Sequence, residues 1–371
     1  MKFRHLLILI LICSAMLFAP AAFGYAGGAE EGDTESIADD YEDTADDGSP
    51  RSSFAYKEYS SQNMYRNILR VKMPDVYKKL SPGMNDDETV PIPGTLATCA
   101  STDGSQVSDS YIPQGICTAD PYWLVTAYDS NKECPSVIYV VDSGAKQLVS
   151  TLLLPNKYHV GGIAFDGARV WLTGDTSDKY KGRPFVQYIR YEDILDLIDE
   201  SVAEVAEDNV SEKIYIKNKP SFLDCEAGKL WVGTYIGTKG TKEGYVYGYS
   251  ISDAPEEAVL NTTMFSVITA IDSSSQGMDI DGNYLYVSSS YKGNSPGIKS
   301  SFVTKYEISP VLNGAPYLYV EDRELTRIEV PKMNEEIIVK DDLIHINFES
   351  SAKRWKNPVI RTDRILAVSK P

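Results

Sequence analysis

The chain is poor in histidine and holds no assembled catalytic motif. Three histidines occur in 371 residues, and one of them, His5, lies in the leader described below, so a His-rich metal centre is excluded. GxSxG, HExxH, P-loop and EF-hand patterns are missing, which removes the hydrolases, zinc proteases and nucleotide-binding proteins that those motifs define. Positive charge is scarce as well. The net charge is −17 with no basic stripe, which argues against nucleic acid or an anionic membrane surface as partner. The one long apolar run, residues 6–18, is too short to span a bilayer comfortably, so no membrane span is expected. Cysteines number five, and none shows the CxxC spacing of a metal or redox site, so no metal ligands are assigned.

What is present begins with an export signal. Lys2, Arg4 and His5 precede the apolar run, and small residues at Ala22, Gly24 and Ala26 suit a signal peptidase. Residues 1–26 therefore read as a signal peptide and the mature chain as secreted and extracellular. Residues 27–50 carry ten acidic side chains and no Lys or Arg. Such a segment self-repels and has little apolar surface to bury, so it reads as a disordered acidic linker.

From residue 110 onward one pattern recurs. Residues 159–175, HVGGIAFDGARVWLTGD, read as strand, tight Asp166-Gly167 turn and strand. The pattern returns at 114–128 (QGICTADPYWLVTAY), 221–235 (SFLDCEAGKLWVGTY), 276–290 (QGMDIDGNYLYVSSS) and, most degenerate, 335–349 (EEIIVKDDLIHINFE). Anchored at Gly115, Gly162, Phe222, Gly277 and Glu336, the steps are 47, 60, 55 and 59 residues. Periods of this size with several strands per unit predict an all-β fold, a β-propeller of five four-stranded blades over 110–371.

Residues 51–109 form an N-terminal arm. The last unit lacks an outer strand, and an open blade edge is a liability. Residues 65–74 (YRNILRVKMP) resemble the outer-strand segment 324–331 (ELTRIEVP) and are expected to close the ring. Residues 191–208 place Ile194, Ile198, Val202 and Val205 on one helical face, which predicts a helical insertion. Among the four cysteines past the leader, Cys99–Cys134 is the expected disulfide, tying the arm to blade 1.

In an up-and-down blade the hairpin turns share one face and the blade-to-blade crossings share the other. The crossings bring Gln114, His159, Gln276 and Glu335 to the mouth of the central channel, and the following loops bring Tyr128, Tyr291, Asp175, Glu349 and Arg354 to the same side. These are the candidate ligand-binding groups, with Glu349 and Asp175 the candidates for acid or base catalysis. A narrow five-bladed channel with such a rim also suits a divalent cation, and no other cofactor is indicated.

The QG-I, YWLVTAYD, SVIYVVD, HVGGIAFDG and QGMDIDGNYLYVSSS segments resemble those of secreted bacterial β-propeller proteins of the broad NHL and quinoprotein-like type. The resemblance covers about residues 110–370 and implies the fold without a chemistry, because propellers host lactonases, glycosidases, lyases and pure binding modules alike. The expectation is a secreted, monomeric, non-catalytic binding or scaffold propeller presenting its channel mouth to a glycan, peptide or small polar ligand, with an extracellular polymer or protein as partner. The alternative is an extracellular hydrolase or lyase acting on a carbohydrate or a related polar substrate.

Overall fold

The computed structural model describes residues 69–70, 73–79, 90–95, 97–174, 182–237, 243–254, 258–290, 301–355 and 362–371. They form five antiparallel blades. Blade 1 runs Tyr111–Ala119, Tyr122–Asp129, Val137–Asp142 and Gln147–Leu153, from channel to rim. Blade 2 is Ile163–Phe165, Arg169–Thr173, Phe185–Arg190 and Ile214–Tyr215. Blade 3 is Phe222–Glu226, Lys229–Thr234, Gly244–Ile251 and Leu260–Ile271, and blade 4 is Ser275–Asp281, Tyr284–Ser289, Ser301–Glu307 and Glu324–Val330. Blade 5 comprises Asn334–Lys340, Leu343–Phe348 and Arg364–Ser369, with Val90–Pro91 on its outer edge. Each first strand packs on the next, and that of blade 5 packs on that of blade 1, so the ring is closed.

Local chemistry explains the repeat. The hairpins need positive φ at the turn, met by Ala227 and Gly228 in blade 3 and by Asp341 and Asp342 in blade 5. In the second strands, Trp171, Trp231, Tyr286 and His345 occupy one repeated position, held by Leu124 in blade 1, and Trp171 and Trp231 are wholly buried between blades. His345 lies 4.9 Å from the Trp123 ring. Burial first, then Lys146 and Lys340, push its imidazole down to about 4, so it packs as a neutral ring. In blades 1 and 2 a hydroxyl near the end of the second strand ties the blade to its crossing. Thr126 Oγ1 accepts from Gly115 N at 2.8 Å and donates to Val160 O at 2.8 Å. Thr173 Oγ1 accepts from Gly162 N at 3.0 Å.

The first strands approach so closely that two anchors must be glycine. A Cβ on Gly162 would lie 2.6 Å from Phe222 Cα, and one on Gly277 would lie 2.4 Å from Glu336 Cα. These are backbone atoms that cannot yield, so the channel is pinched at this level.

Three expectations change. The strand that pairs with Arg364 and Ile365 is Val90–Pro91, whereas Leu69 and Arg70 are helical and Pro74–Lys79 is an α-helix. The remainder of residues 65–72 lies outside the described residues. The outer-strand resemblance of 65–74 was a likeness of composition, and its apolar Leu69 is buried from a helical turn instead. The insertion between the third and fourth strands of blade 2 is helical only over Tyr191–Leu195. Val202–Glu204 is a strand, parallel to Gln147–Leu153 on the rim of blade 1. An unpaired edge offers a row of backbone groups, and pairing with it outweighs a helical face crowded with Asp193, Asp196, Asp199 and Glu200. The same device recurs two blades on. After Ser309–Leu312, the strand Tyr317–Tyr319 runs parallel to Leu260–Ile271 on blade 3. Finally, Cys99 and Cys134 are free thiols rather than a disulfide. Cys99 Sγ donates to Ser101 O at 3.1 Å, and Cys134 Sγ accepts from Gln106 Nε2 at 3.2 Å, so each thiol has its own partner. Among the described residues, no helix is long and apolar enough to cross a membrane.

Candidate functional site

The crossing end gathers most of the residues expected there. β-bulges interrupt the first strands at Pro113/Ile116, Ser275/Gly277 and Asn334/Ile337, and so fall on the QG, QG and EE dipeptides of the repeat. An extra residue bends a strand and re-aims a side chain, which is why these dipeptides recur. Gln276 Nε2 donates to Glu335 Oε1 at 3.4 Å. His159 is exposed and its ring centroid lies 4.3 Å from that of Tyr128. Burial, then the charges of Glu349 and Glu335, raise the Tyr128 phenol, with Arg354 opposing. Glu335 and Glu349 are themselves buried. Gln114 is buried too, with its amide donating to Pro113 O and its backbone carbonyl accepting from Asn347. Asp175 and Tyr291 lie outside the described residues. The crossing end is therefore a set of polar groups largely engaged with one another.

The opposite, hairpin end of the channel holds a cavity of about 250 Å³, lined by the first strands of all five blades. Ile116, Ile163, Leu223, Met278 and Ile337 border it beside the acidic Asp224, Glu226, Asp279 and Asp281, and the surface it exposes is almost wholly polar. Cys117 and Cys225 share the same cavity, although they come from blades that are not neighbours.

Asp224 and Asp279 occupy matching positions, two residues beyond their anchors. Each reaches the next blade: Asp224 Oδ2 accepts from Ile280 N at 2.8 Å, and Asp279 accepts from the Val339 N–H. Water reaches part of both side chains through the cavity, yet both sit deep in the disc with protein on all sides. Burial pushes the Asp224 carboxyl up to about 7 against the pull of the Ile280 and Cys225 amides. Burial first, then the neighbouring Asp224 charge, push the Asp279 carboxyl well up. Two such groups titrate as a pair and share a proton at neutral pH.

Glu336 stands where three other blades have glycine, so it is the side chain at the pinch. It is 1% exposed. Its Oε1 accepts from Met278 N at 3.2 Å. Burial drives its carboxyl well up, opposed by the Met278, Leu223 and Ile163 amides that face it from three blades. Asp281 is balanced, accepting from Lys370 Nζ at 2.8 Å. Among the described residues, no Lys or Arg acts on Asp224, Asp279 or Glu336 in this way. Burial also raises both thiols, so Cys117 and Cys225 stay protonated.

Reasoning from the sequence alone missed this end. The available signal was an acid at the same strand position in two successive repeats, and a Glu replacing the anchor glycine in a third. Among the described residues, no three His, Cys, Asp or Glu side chains are grouped to hold a metal ion.

No protein-family profile matches the sequence, and neither does any curated protein. Solved structures do match. Myxococcus xanthus glutaminyl cyclase aligns with a TM-score of 0.39 at 13% identity, over 71% of this chain and 94% of that one. The PQQ-bound aldose sugar dehydrogenase of Streptomyces coelicolor aligns with a TM-score of 0.38 at 10% identity, over 69% of this chain and 93% of that one. At such scores the activities of those proteins carry no weight here.

Proposed function

We propose that this protein is a secreted, monomeric binding module that takes a small polar ligand into the hairpin end of its channel. The observation that carries this reading is the water-accessible cavity of about 250 Å³ to which every blade contributes. A space just under the roughly 300–1,000 Å³ of drug-sized pockets suits a small molecule or the end of a polymer rather than a long chain. Secretion rests on residues 1–26. The crossing end, whose polar groups already engage one another, serves to hold the blades in register.

A thermal-shift screen of small polar compounds tests the reading, with Glu226→Lys as control. Glu226 is exposed at the cavity rim, so the change blocks the entrance without disturbing the core. Ligands should raise the melting temperature of the native chain and not that of the variant. Equal shifts in both would place the ligand elsewhere.

One observation supports a hydrolase or lyase as second reading. A carboxyl near neutral pKa beside a second, protonated one is the pairing that acid–base chemistry uses. Turnover of a polar substrate such as a glycan by the native chain, abolished in Asp224→Asn, would establish it; binding without turnover would discard it.

A further inference from the structure

We infer that Asn261, on the rim of blade 3, is a glycan attachment site that takes a sugar chain from a lipid pyrophosphate-linked donor. This rests on the export that residues 1–26 signal and adds a modification of the exported chain.

Asparagine followed two residues later by Ser or Thr, with no proline between, is the acceptor pattern for such transfer. It occurs twice in the 371 residues, as Asn209-Val210-Ser211 and Asn261-Thr262-Thr263. The pattern does not separate the two sites, but their surroundings do.

At Asn209 the fold has already engaged the pattern. Val210 bridges to Ile189. Ser211 Oγ accepts from Tyr188 N at 2.9 Å and donates to Glu212 O at 3.0 Å. Ser211 N donates to Tyr188 O at 2.9 Å, and Gln187 Nε2 donates to Ser211 O at 2.6 Å. A transferase that must read the hydroxyl finds it occupied and its backbone held against the third strand of blade 2.

Asn261 is presented outward instead. Tyr249 pairs with Phe265 and Ile251 with Leu260, so residues 261–264 stand opposite Ser250 alone. A bulge of this kind carries backbone out of the ladder. Thr263 is exposed, and Met264 at 71% is the most exposed large apolar side chain among the described residues. Asn261 Oδ1 accepts from Thr263 N and Met264 N at 3.1 Å each and from Thr263 Oγ1 at 2.9 Å. Those bonds fix the carboxamide with Nδ2, the atom that takes the sugar, as its unengaged end.

The same stretch is an open edge. The outermost strand Tyr317–Tyr319 pairs with Val267, Ile268 and Thr269, so residues 260–266 have no described strand outside them. Unpaired edges invite pairing with other chains, and a bulky solubilising group blunts them. A sugar chain on Asn261 stands over that edge and beside the bare Met264.

In the transfer, Asn261 Nδ2 bonds to C1 of the first sugar, and the bond from C1 to the pyrophosphate oxygen breaks. The lipid pyrophosphate leaves with that electron pair, and the amide proton passes to a carboxylate of the transferase.

The test incubates the purified, folded chain with a single-subunit oligosaccharyltransferase and a polyprenyl pyrophosphate-linked disaccharide, read by intact mass and peptide mapping. One disaccharide per chain should be found, on Asn261. Asn209 should be modified on the order of tenfold more slowly or less, the factor for freeing the two Ser211 hydroxyl bonds. Peptides cut from the chain should lose most of that preference. Asn261→Gln and Thr263→Ala, both on the bulge, should abolish the gain in mass with unchanged circular dichroism. A folded chain that stays bare while its Asn261 peptide is modified overturns the inference, and so does one that takes sugar first on Asn209. The export on which it rests is read separately, in protein isolated from its native source. There, a chain that begins after the leader and carries sugar on Asn261 supports both. Bare Asn261 in such a chain overturns the inference alone, whereas retention of residues 1–26 overturns the export and the inference with it.

Discussion

The two ends of the channel are built from the same five strands, yet they keep their carboxyl groups in opposite circumstances. At the crossing end, Glu335 has Gln276 beside it, and the bulges turn polar side chains toward one another. At the hairpin end, Asp224 and Asp279 line a cavity with no base on its wall, and Glu336 is buried at the pinch. A disc needs its crossings held in register, and the first arrangement does that. The second adds nothing to stability, and at neutral pH it works against the fold. Groups retained at a cost to folding are candidates for function.

The largest expected effect comes from removing the pinch that separates the two ends. Gly162→Ala would set a Cβ 2.6 Å from Phe222 Cα and 2.7 Å from Leu223 N, and should destabilise by on the order of 3 kcal/mol in denaturant unfolding. A loss below about 1 kcal/mol would mean that the blades can part there without consequence.

Next comes ring closure. Truncation just before residue 90 keeps the pairing of Val90 with Ile365, whereas truncation after Ile92 removes it together with a side chain that is 1% exposed. The longer truncation should melt several degrees lower, because losing the buried Ile92 alone costs about 1.5–3 kcal/mol. Equal melting temperatures would show that the arm does not close blade 5.

The pH dependence sharpens the comparison directly. Asp224, Asp279 and Glu336 bind protons more tightly folded than unfolded. Their contribution to stability is complete below the unfolded carboxylate range and is lost as pH rises through the folded values, about 7 for Asp224. His345 works the other way: held down to about 4 by burial, it contributes more as pH rises, and that gain is complete by its unfolded value near 6.5. Only the carboxyls act in the window above this, so the melting temperature should fall by on the order of 2–4 °C between about pH 6.5 and 8.5. Asp224→Asn or Glu336→Gln should flatten the fall, and Glu349→Gln should not. A flat profile in the native chain would contradict the account of the hairpin end.

The smallest effect is expected at His159. It is exposed and stacked on Tyr128, so His159→Ala should cost roughly 0.5–1 kcal/mol in unfolding. A larger loss would make it a structural hinge of the crossing.

Much of the architecture was legible because each repeat carries its own turn and the first four carry a Trp or Tyr in the second strand, features that depend only on neighbouring residues. The blade count and the strand order follow from those. The short closing strand was not legible: two residues carry no periodicity, and Val90–Pro91 pairs because Arg364–Ile365 is there, not because of its own sequence. The insertion failed for a related reason. Val202 and Val205 fit a helical period, but the open rim of blade 1 decided their conformation. Topology expected Glu335, Glu349 and Tyr128 on one side of the disc, and the charges of both glutamates act on the Tyr128 phenol. The hairpin-end acids were overlooked because Asp224 and Asp279 sit among apolar residues and read as ordinary strand positions. Only a closed ring shows that both of them line one cavity.

The central claim is that the hairpin-end carboxyls are buried without a counter-charge, and carboxyl carbon NMR of the pair measures it most directly. The signals of Asp224 and Asp279 can be assigned by Asn substitution and followed with pH in the native chain. The account predicts that the pair titrates near and above neutrality, with at least one carboxyl still protonated at pH 7. Titration of both in the ordinary range near 4 would contradict it.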